Sequence, residues 1–509
     1  MSAEYTYPEF VGYSFADAEV VFGIVGPVGT ELDKVVKLIG NGLKDYVYRC
    51  QEIRVSADVI RQVIDVAEAT DEYSRIQSYM NAGNRLRESS DDNSAVALGA
   101  AAHINFFRTP ENPHRERCAY IINSLKHPDE VKRLREIYGT GFYLVSVFSS
   151  KETRKRHLMD VGGMSEAEAE ELIKRDEDEH LEYGQRTRDT FHLADFFLSV
   201  DHNQTALKGN ITRFLEILFG HPNRTPTPDE FAMFMAFSAS LRSADLSRQV
   251  GAVVTTNNDI LSTGANDCPR PGGGLYWPEL DEESGLITDK KGGRDYTLGV
   301  DSNTAEKNRI LQDIVSRVTK KTGINDCDLL LALQDSPIHD ITEYGRVVHA
   351  EMEAILSCSR NNISCRESEL FCTTFPCHNC AKHIVAAGIK RVVYIEPYPK
   401  SKALEFHKDA ISHGDARDLT SIKTHFEPFL GVGPRRFFDL FSMNFGDGRQ
   451  IRRKSSNDGK TLPFSTKDAR LRLQMLPTSY LEREALATDV FREYRNTLEE
   501  GGNDAEKEQ

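Results

Sequence analysis

Apolar residues in this chain follow two spacings. Unbroken short runs read as buried strands, and runs with apolar positions every three or four residues read as helices. Glu19-Val20-Val21-Phe22-Gly23-Ile24-Val25 is the first unbroken run; it enters Gly26-Pro27-Val28-Gly29-Thr30, and helical spacing takes over across 32–39. Ala119-Tyr120-Ile121-Ile122-Asn123-Ser124-Leu125 and Tyr143-Leu144-Val145-Ser146-Val147-Phe148 are further runs, with a helix predicted over 129–137 between them and a closing strand at Ala194-Asp195-Phe196-Phe197-Leu198. Strands apolar at nearly every position are covered on both faces, the condition of a parallel sheet between helices.

A second set of elements follows the polar Gly220-His221-Pro222-Asn223-Arg224-Thr225-Pro226-Thr227-Pro228, the clearest linker. The pattern predicts a helix over 229–242 and then a hairpin, with Val250-Gly251-Ala252-Val253-Val254 and Ile260-Leu261-Ser262-Thr263 flanking a turn at 255–259. Beyond the polar loop Gly264-Ala265-Asn266-Asp267-Cys268-Pro269, residues 281–330 are rich in Gly, Asp and Lys and read as an insertion, helical over 304–319. A helix starting at His349, a strand over 369–375, a helix ending at Gly388 and the strand Arg391-Val392-Val393-Tyr394-Ile395 complete the set. That order predicts an α/β sandwich around one mixed sheet. The expected domains are 1–220, 226–450 with the insertion at about 281–330, and a C-terminal extension over 451–509. The last of these ends in an acidic, polar stretch at 499–509 that is expected to be disordered.

Composition narrows the class. With 509 residues, 39% of them hydrophobic and 28% charged, the chain is expected to be a soluble protein of two or three domains. No run approaches the roughly 18 apolar residues of a membrane span, and no basic flank precedes the first apolar stretch as in a secretory signal. The nine cysteines are odd in number and cluster late in the chain, which suits reduced thiols in a cytoplasm. A net charge of −15 disfavours nonspecific binding to long nucleic acid and leans toward small anionic substrates held in a local cationic pocket.

The candidate chemistry lies in His349-Ala350-Glu351 and Pro376-Cys377-His378-Asn379-Cys380. An H-x-E followed by P-C-x-x-C is the signature of zinc-dependent nucleobase deaminases. One imidazole and two thiolates, from His349, Cys377 and Cys380, make a three-ligand zinc site whose fourth position is left for water, whereas a structural site supplies a fourth protein ligand. Helical spacing after His349 puts it and Glu351 in a first turn, and Pro376 is expected to open the helix on which Cys377 and Cys380 share a face. Glu351 reads as the proton shuttle, taking a proton from the attacking water, donating it to ring N3 and protonating the departing ammonia. Cys358, Cys365 and Cys372 are the alternatives that would close the site as a structural one.

The loop Gly26-Pro27-Val28-Gly29-Thr30 has the layout of a phosphate-binding turn, and Gly26, Gly29 and Thr30 are its candidate nucleotide contacts. The G-x-x-x-x-G-K-[ST] pattern fails, because Glu31, Leu32 and Asp33 stand where the second glycine, the lysine and the hydroxyl belong. Lys34 is one place late. The basic Arg154-Lys155-Arg156 and the charged stretch 166–182 follow in the order of a nucleoside-monophosphate kinase with a basic lid, though charge runs also form plain solvated helix faces. Asn84, Arg87 and the Arg154 cluster are further candidate polar contacts of a regulatory ligand.

Ser243-Ala244-Asp245-Leu246-Ser247-Arg248-Gln249-Val250-Gly251-Ala252-Val253, Thr263-Gly264-Ala265-Asn266, Val348-His349-Ala350-Glu351 and the P-C-x-x-C run together resemble the deoxycytidylate deaminase family. With the degenerate kinase-like front, Gly272-Gly273-Gly274-Leu275-Tyr276-Trp277 and Glu396-Pro397-Tyr398-Pro399-Lys400-Ser401, nearly the whole chain resembles bacterial antiphage dCTP deaminases. The resemblance implies an α/β protein with an N-terminal P-loop nucleotide-kinase-like parallel sheet and a C-terminal cytidine-deaminase-like α/β/α sandwich. It implies Zn2+-dependent conversion of dCTP, and of dCMP, to uracil nucleotides, starving an infecting phage of dCTP. It further implies a homo-oligomer, restrained before infection by the N-terminal domain or by an inhibitory small RNA, with a nucleotide as the expected ligand of the N-terminal domain.

Asn266, Lys400, Ser401 and Arg248 are the expected substrate contacts: Asn266 for sugar or base, Lys400 and Ser401 for phosphate, Arg248 as a further cation. One departure stands out. The family usually has Asn where this chain has Glu353, so that amide's role does not carry over, and the broken loop speaks against kinase activity. Two other readings compete: a tRNA-type nucleic-acid-editing deaminase, disfavoured by the acidic charge, and a nucleotide sensor with a structural zinc site.

Overall fold

The structure, a computed structural model, describes residues 17–507 apart from 67, 110–113, 178, 180, 182, 202, 335, 337, 339–342, 399, 415–420, 445–449 and 476. The chain forms two compact units, one of residues 1–227 with 430–509 and the other of residues 228–429.

The first unit contains β1 (Val20–Val25), α1 (Leu32–Asp45), β2 (Arg49–Arg54), α2 (Ala95–Phe106), β3 (Cys118–Asn123), β4 (Phe142–Phe148), α3 (Glu166–Glu177) and β5 (Phe196–Ser199) among its elements. These five strands are parallel and lie in the order β5-β4-β1-β3-β2. β1 is buried along its whole length, as its unbroken apolar run requires. Sequence patterning missed β2, Arg49-Cys50-Gln51-Glu52-Ile53-Arg54, because an edge strand buries little; only Ile53 is fully covered.

The second unit contains α4 (Pro228–Ser240), β6 (Gly251–Thr256), β7 (Asp259–Ala265), a small ribbon of β8 (Glu279–Leu280) and β9 (Ile287–Thr288), α5 (Ser302–Thr322), α6 (Ala350–Arg360), β10 (Glu369–Thr374), α7 (His378–Ala386), β11 (Arg391–Glu396), β12 (Ile411–His413) and β13 (Thr424–Pro428). Its sheet runs β12-β13-β11-β10-β6-β7, parallel from β12 to β10 and antiparallel through the β6–β7 hairpin. The α/β architecture with parallel-rich sheets agrees with the fold class expected above. Asn257 and Asn258 turn the hairpin at φ 53° and 69°, the left-handed pair that matches strand twist. Gly264 brings β7 against α6, since a Cβ there would stand 2.1 Å from Ala350 O. That close approach fixes where α6 starts, and His349 stands at its start.

After β13 the chain returns to the first unit, which corrects the expected boundary at 450 and the separate extension over 451–509. β14 (Gly431–Val432) adds antiparallel to β5, with Gly431 opposite Phe197 and Val432 opposite Phe196. An apolar strand edge left bare would be an aggregation site, and β14 covers it. Val432, Leu440 and Leu471 join the core of the first sheet; they lie too far apart in sequence to read as one element. The expected disordered end is instead the last part of a helix, α8 (Pro477–Lys507), while residues 508–509 lie outside the described residues. Once Tyr480, Glu484 and Ala487 bury its first turns, each further residue extends the helix more easily than a new helix could start.

Candidate active site

The site is built at two neighbouring helix starts. His349 is the N-cap of α6, and Glu351 lies in the first turn, buried at 4% exposure. Cys377 is the N-cap of α7, its Sγ accepting from the Cys380 backbone N–H at 3.4 Å, so Pro376 stands one residue before the cap and does not open the helix as the sequence pattern predicts. An N-cap sulfur at a helix's positive end is favoured as thiolate.

His349 Nδ1 lies 3.4 Å from Cys377 Sγ and 3.3 Å from Cys380 Sγ, and the ligand atoms of the three residues all fall within 4.8 Å of one another. Tetrahedral zinc with Zn–N of about 2.0 Å and Zn–S of about 2.3 Å sets its nitrogen and sulfur ligands about 3.5 Å apart, so the donor set fits that ion. The other cysteines considered as closing ligands bond elsewhere: Cys372 Sγ approaches Val393 O at 3.7 Å, Cys358 Sγ lies 3.1 Å from Ser262 Oγ, and Cys365 is hydrogen-bonded to Cys358. Among the described residues no fourth His, Cys, Asp or Glu joins the group, which leaves the fourth position open as a catalytic site requires.

Burial pushes the Glu351 carboxyl above its ordinary pKa, the direction that suits a group holding a proton between two transfers. In the protein stripped of metal the three ligands share protons. Cys377 is held down to about 4, first by its bond with Cys380, whose own thiol is driven well up by the same bond. The bond with Cys377 lifts His349 to about 9. At pH 7 the stripped triad therefore carries protons on His349 and Cys380 and none on Cys377. Zinc uptake at that pH is expected to expel about two protons, and zinc affinity to rise with pH. Calorimetry at pH 7 in buffers of different ionisation enthalpy measures the count; a buffer-independent heat would contradict it.

A cavity of about 300 Å³ opens over the triad, lined by His349, Glu351 and Cys377, by Asn266, Arg248, Phe375 and Tyr398, and by Asp301, Asn303 and Lys307 from the start of α5. The structure thus brings Asn266 and Arg248 to the site. Asn266 Oδ1 accepts from Val250 N at 2.7 Å and its Nδ2 donates to Arg248 O at 2.8 Å, so the amide also shapes the loop that carries Arg248. The Arg248 guanidinium lies 4.9 Å above the Tyr398 ring and 3.2 Å from Glu396. Lys400 and Ser401 are not among the residues lining this cavity, and Ser401 Oγ donates to Pro376 O at 2.8 Å. Glu353, the departure from the usual Asn, is 6% exposed, pairs with Arg360 and likewise does not line the cavity. Sequence reasoning missed the contribution of α5. Asp301 caps that helix through Thr304 N at 2.6 Å, a start that the sequence could show, but nothing local places it over His349.

In the first unit the loop from Gly26 to Thr30 already holds an anion, and that anion is the chain's own. The fully buried Asp176 of α3 accepts from Val28 N at 2.8 Å and from Lys126 Nζ at 2.7 Å, while Lys126 also donates to Gly26 O. Lys34 pairs with Glu31 at 3.7 Å. The other candidate contacts serve internal bonds: Arg87 with Glu130, Asn84 with Glu179, Arg154 with Glu177. The loop itself, with Gly26, Gly29 and Thr30, lines a cavity of about 250 Å³ together with Tyr79, Arg87 and Asp176.

The family model described as the cytidine and deoxycytidylate deaminase zinc-binding region matches residues 226–396. The chain is 31% identical over 169 residues to the deoxycytidylate deaminase of Enterobacteria phage T4, covering 33% of this chain and 77% of that protein. Among solved structures, the dCMP deaminase of cyanophage S-TIM5 in apo form covers 40% of this chain and 100% of its own at 21% identity, with a TM-score of 0.22. Shikimate kinase from Acinetobacter baumannii covers 41% of this chain and 97% of its own at 13% identity, with a TM-score of 0.24. The zinc-binding description and the triad's donor set agree, and zinc is the cofactor of this site.

Proposed function

This chain belongs to the deoxycytidylate deaminase family of hydrolytic deaminases, and on that premise we propose that it deaminates free deoxycytidine nucleotides, dCTP to dUTP and dCMP to dUMP. The observation that carries the reading is the buried Glu351 beside a His349-Cys377-Cys380 triad with an open fourth position. Those three residues hold the zinc, which when bound supplies the Lewis acidity that makes water nucleophilic near neutral pH. Glu351 takes a proton from the attacking water as its oxygen bonds to C4, and delivers it to N3. The C4–N4 bond then breaks as Glu351 passes the C4 hydroxyl proton to the leaving nitrogen, which releases ammonia and leaves the C4 carbonyl of a uracil ring. Phe375 and Tyr398 supply flat walls for a pyrimidine, and Arg248 adds a cation.

The first unit, on this reading, regulates and does not phosphorylate. Its loop lacks the clamp lysine and metal-binding hydroxyl of phosphoryl transfer, and Asp176 takes up the Val28 N–H that could otherwise donate to a phosphate. We extend the proposal to a homo-oligomer whose deamination depletes dCTP during phage infection, as the two-part resemblance implies. The test is to incubate the purified full-length protein with dCTP, dCMP, CTP and a cytosine-bearing oligonucleotide and to quantify uracil products. Turnover of the deoxynucleotides and none of the oligonucleotide is expected. Uracil appearing in the oligonucleotide alone would favour an editing enzyme, and no turnover at all a structural zinc site.

A further inference from the structure

Chemistry at C4 occupies only the triad end of the cavity; the sugar and phosphates of a nucleotide must extend along the rest of it. We propose that the insertion supplies the phosphate grip there, with Lys307 as its cation and Asn303 and Thr304 as its neutral donors. The inference rests on the deoxycytidine-nucleotide reading and names the residues that separate a nucleotide from a nucleoside at that same site.

Asn303 and Thr304 stand four and three residues before Lys307 on α5, so the three share one helix face, and all three line the cavity that contains His349 and Glu351. The first-turn N–H groups of this long helix add positive potential at the same end. The wall is fastened on two sides. Arg346, three residues before His349, donates to Asp295 at 2.9 Å and to Gly293 O at 3.0 Å, and Tyr344 N donates to Asn303 Oδ1 at 3.2 Å. On the other side Arg294 pairs with Asp267 at 2.9 Å, both side chains at most 6% exposed.

Besides Glu351, three carboxylates line this cavity, and each of the three has a fixed partner. Asp245 accepts from Ser247 N at 2.9 Å and Arg248 N at 3.1 Å, Asp301 accepts from Thr304 N at 2.6 Å, and Asp295 pairs with Arg346. A phosphate therefore meets carboxylates that already accept hydrogen bonds, together with the cations Arg248 and Lys307. A charge-assisted bond from an ammonium to phosphate belongs to the stronger class of hydrogen bond, so losing it should register in nucleotide affinity.

Steady-state kinetics of wild type, Lys307→Ala, Lys307→Arg and Lys400→Ala with dCTP, dCMP and deoxycytidine test the assignment. Lys307→Ala is expected to raise the KM of both nucleotides about ten-fold or more and to leave kcat and the deoxycytidine parameters within about two-fold, the pattern of lost ground-state binding. Lys307→Arg should restore most of the nucleotide affinity, and zinc content and melting temperature should match wild type in both variants. Unchanged nucleotide KM in Lys307→Ala, or an equal rise for deoxycytidine, would overturn the proposal, the more so if Lys400→Ala raised nucleotide KM alone. A wild type active on dCTP or dCMP with an unaltered Lys307→Ala removes this assignment only. A wild type inactive on all three removes the substrate reading and this proposal with it.

Discussion

Glu351→Gln should retain one zinc per chain and lose turnover by about 10²- to 10⁴-fold, the usual scale of a positioned acid–base group. Glu351 is outside the donor group of His349, Cys377 and Cys380, so the metal site survives the change. The amide keeps the volume of a buried side chain and its place in the first turn of α6, but it cannot carry a proton from water to N3 or on to ammonia. Cys377→Ala should behave differently and lose metal and activity together, because it removes a ligand and the α7 cap at once. Elemental analysis and dCMP turnover on the same preparations separate the two cases. A glutamine variant within a few-fold of wild type would remove Glu351 from the mechanism.

The second large effect belongs to the first unit, in the anchoring of α8. Arg108 forks between Glu484, at 2.5 and 2.8 Å, and Glu19, at 3.0 Å, with all three side chains at most 6% exposed; the Tyr480 hydroxyl also donates to Glu19. Arg108→Met would leave two carboxylates buried without their cation, which costs about 3–5 kcal/mol, beyond the range of most single substitutions. Replacing Glu19 and Glu484 by Gln as well should recover most of the loss, since the uncompensated charge goes with them. The lone tryptophan, Trp277, belongs to the second unit, so its fluorescence follows that unit while far-UV dichroism follows the whole chain. Urea titration should show the dichroism transition of Arg108→Met moved to lower denaturant. An unfolding free energy unchanged within about 0.5 kcal/mol would mean that this network behaves like an exposed ion pair.

Local patterns carried much of the fold. Fully apolar runs became β1, β3 and β4, and helical spacing after His349 and Cys377 became α6 and α7. These succeed because burial on both faces, or on one stripe, leaves its period in the sequence. β2 escaped because an edge strand has little burial to imprint. The return of residues 430–509 to the first unit escaped for another reason: Val432, Leu440 and Leu471 reach that core singly, as isolated apolar positions without a period.

The site divides along the same line. His349-Ala350-Glu351 and Cys377-His378-Asn379-Cys380 could be recognised before any fold was known, because zinc ligation and proton transfer demand particular side chains at short spacings that helix starts provide. Whether Cys358, Cys365 or Cys372 closes the shell, which anion sits in the loop at Gly26, and which cations line the cavity over His349 are questions of distance between segments remote in sequence. Only the packing answers them. Asp176 reaches Val28 across 148 residues, and Lys307 reaches the cavity of His349 through an insertion that the sequence marks only as an interruption. Side-chain identity and local period are written along the chain, whereas the partner of a charge is set by tertiary contacts that leave no period to read.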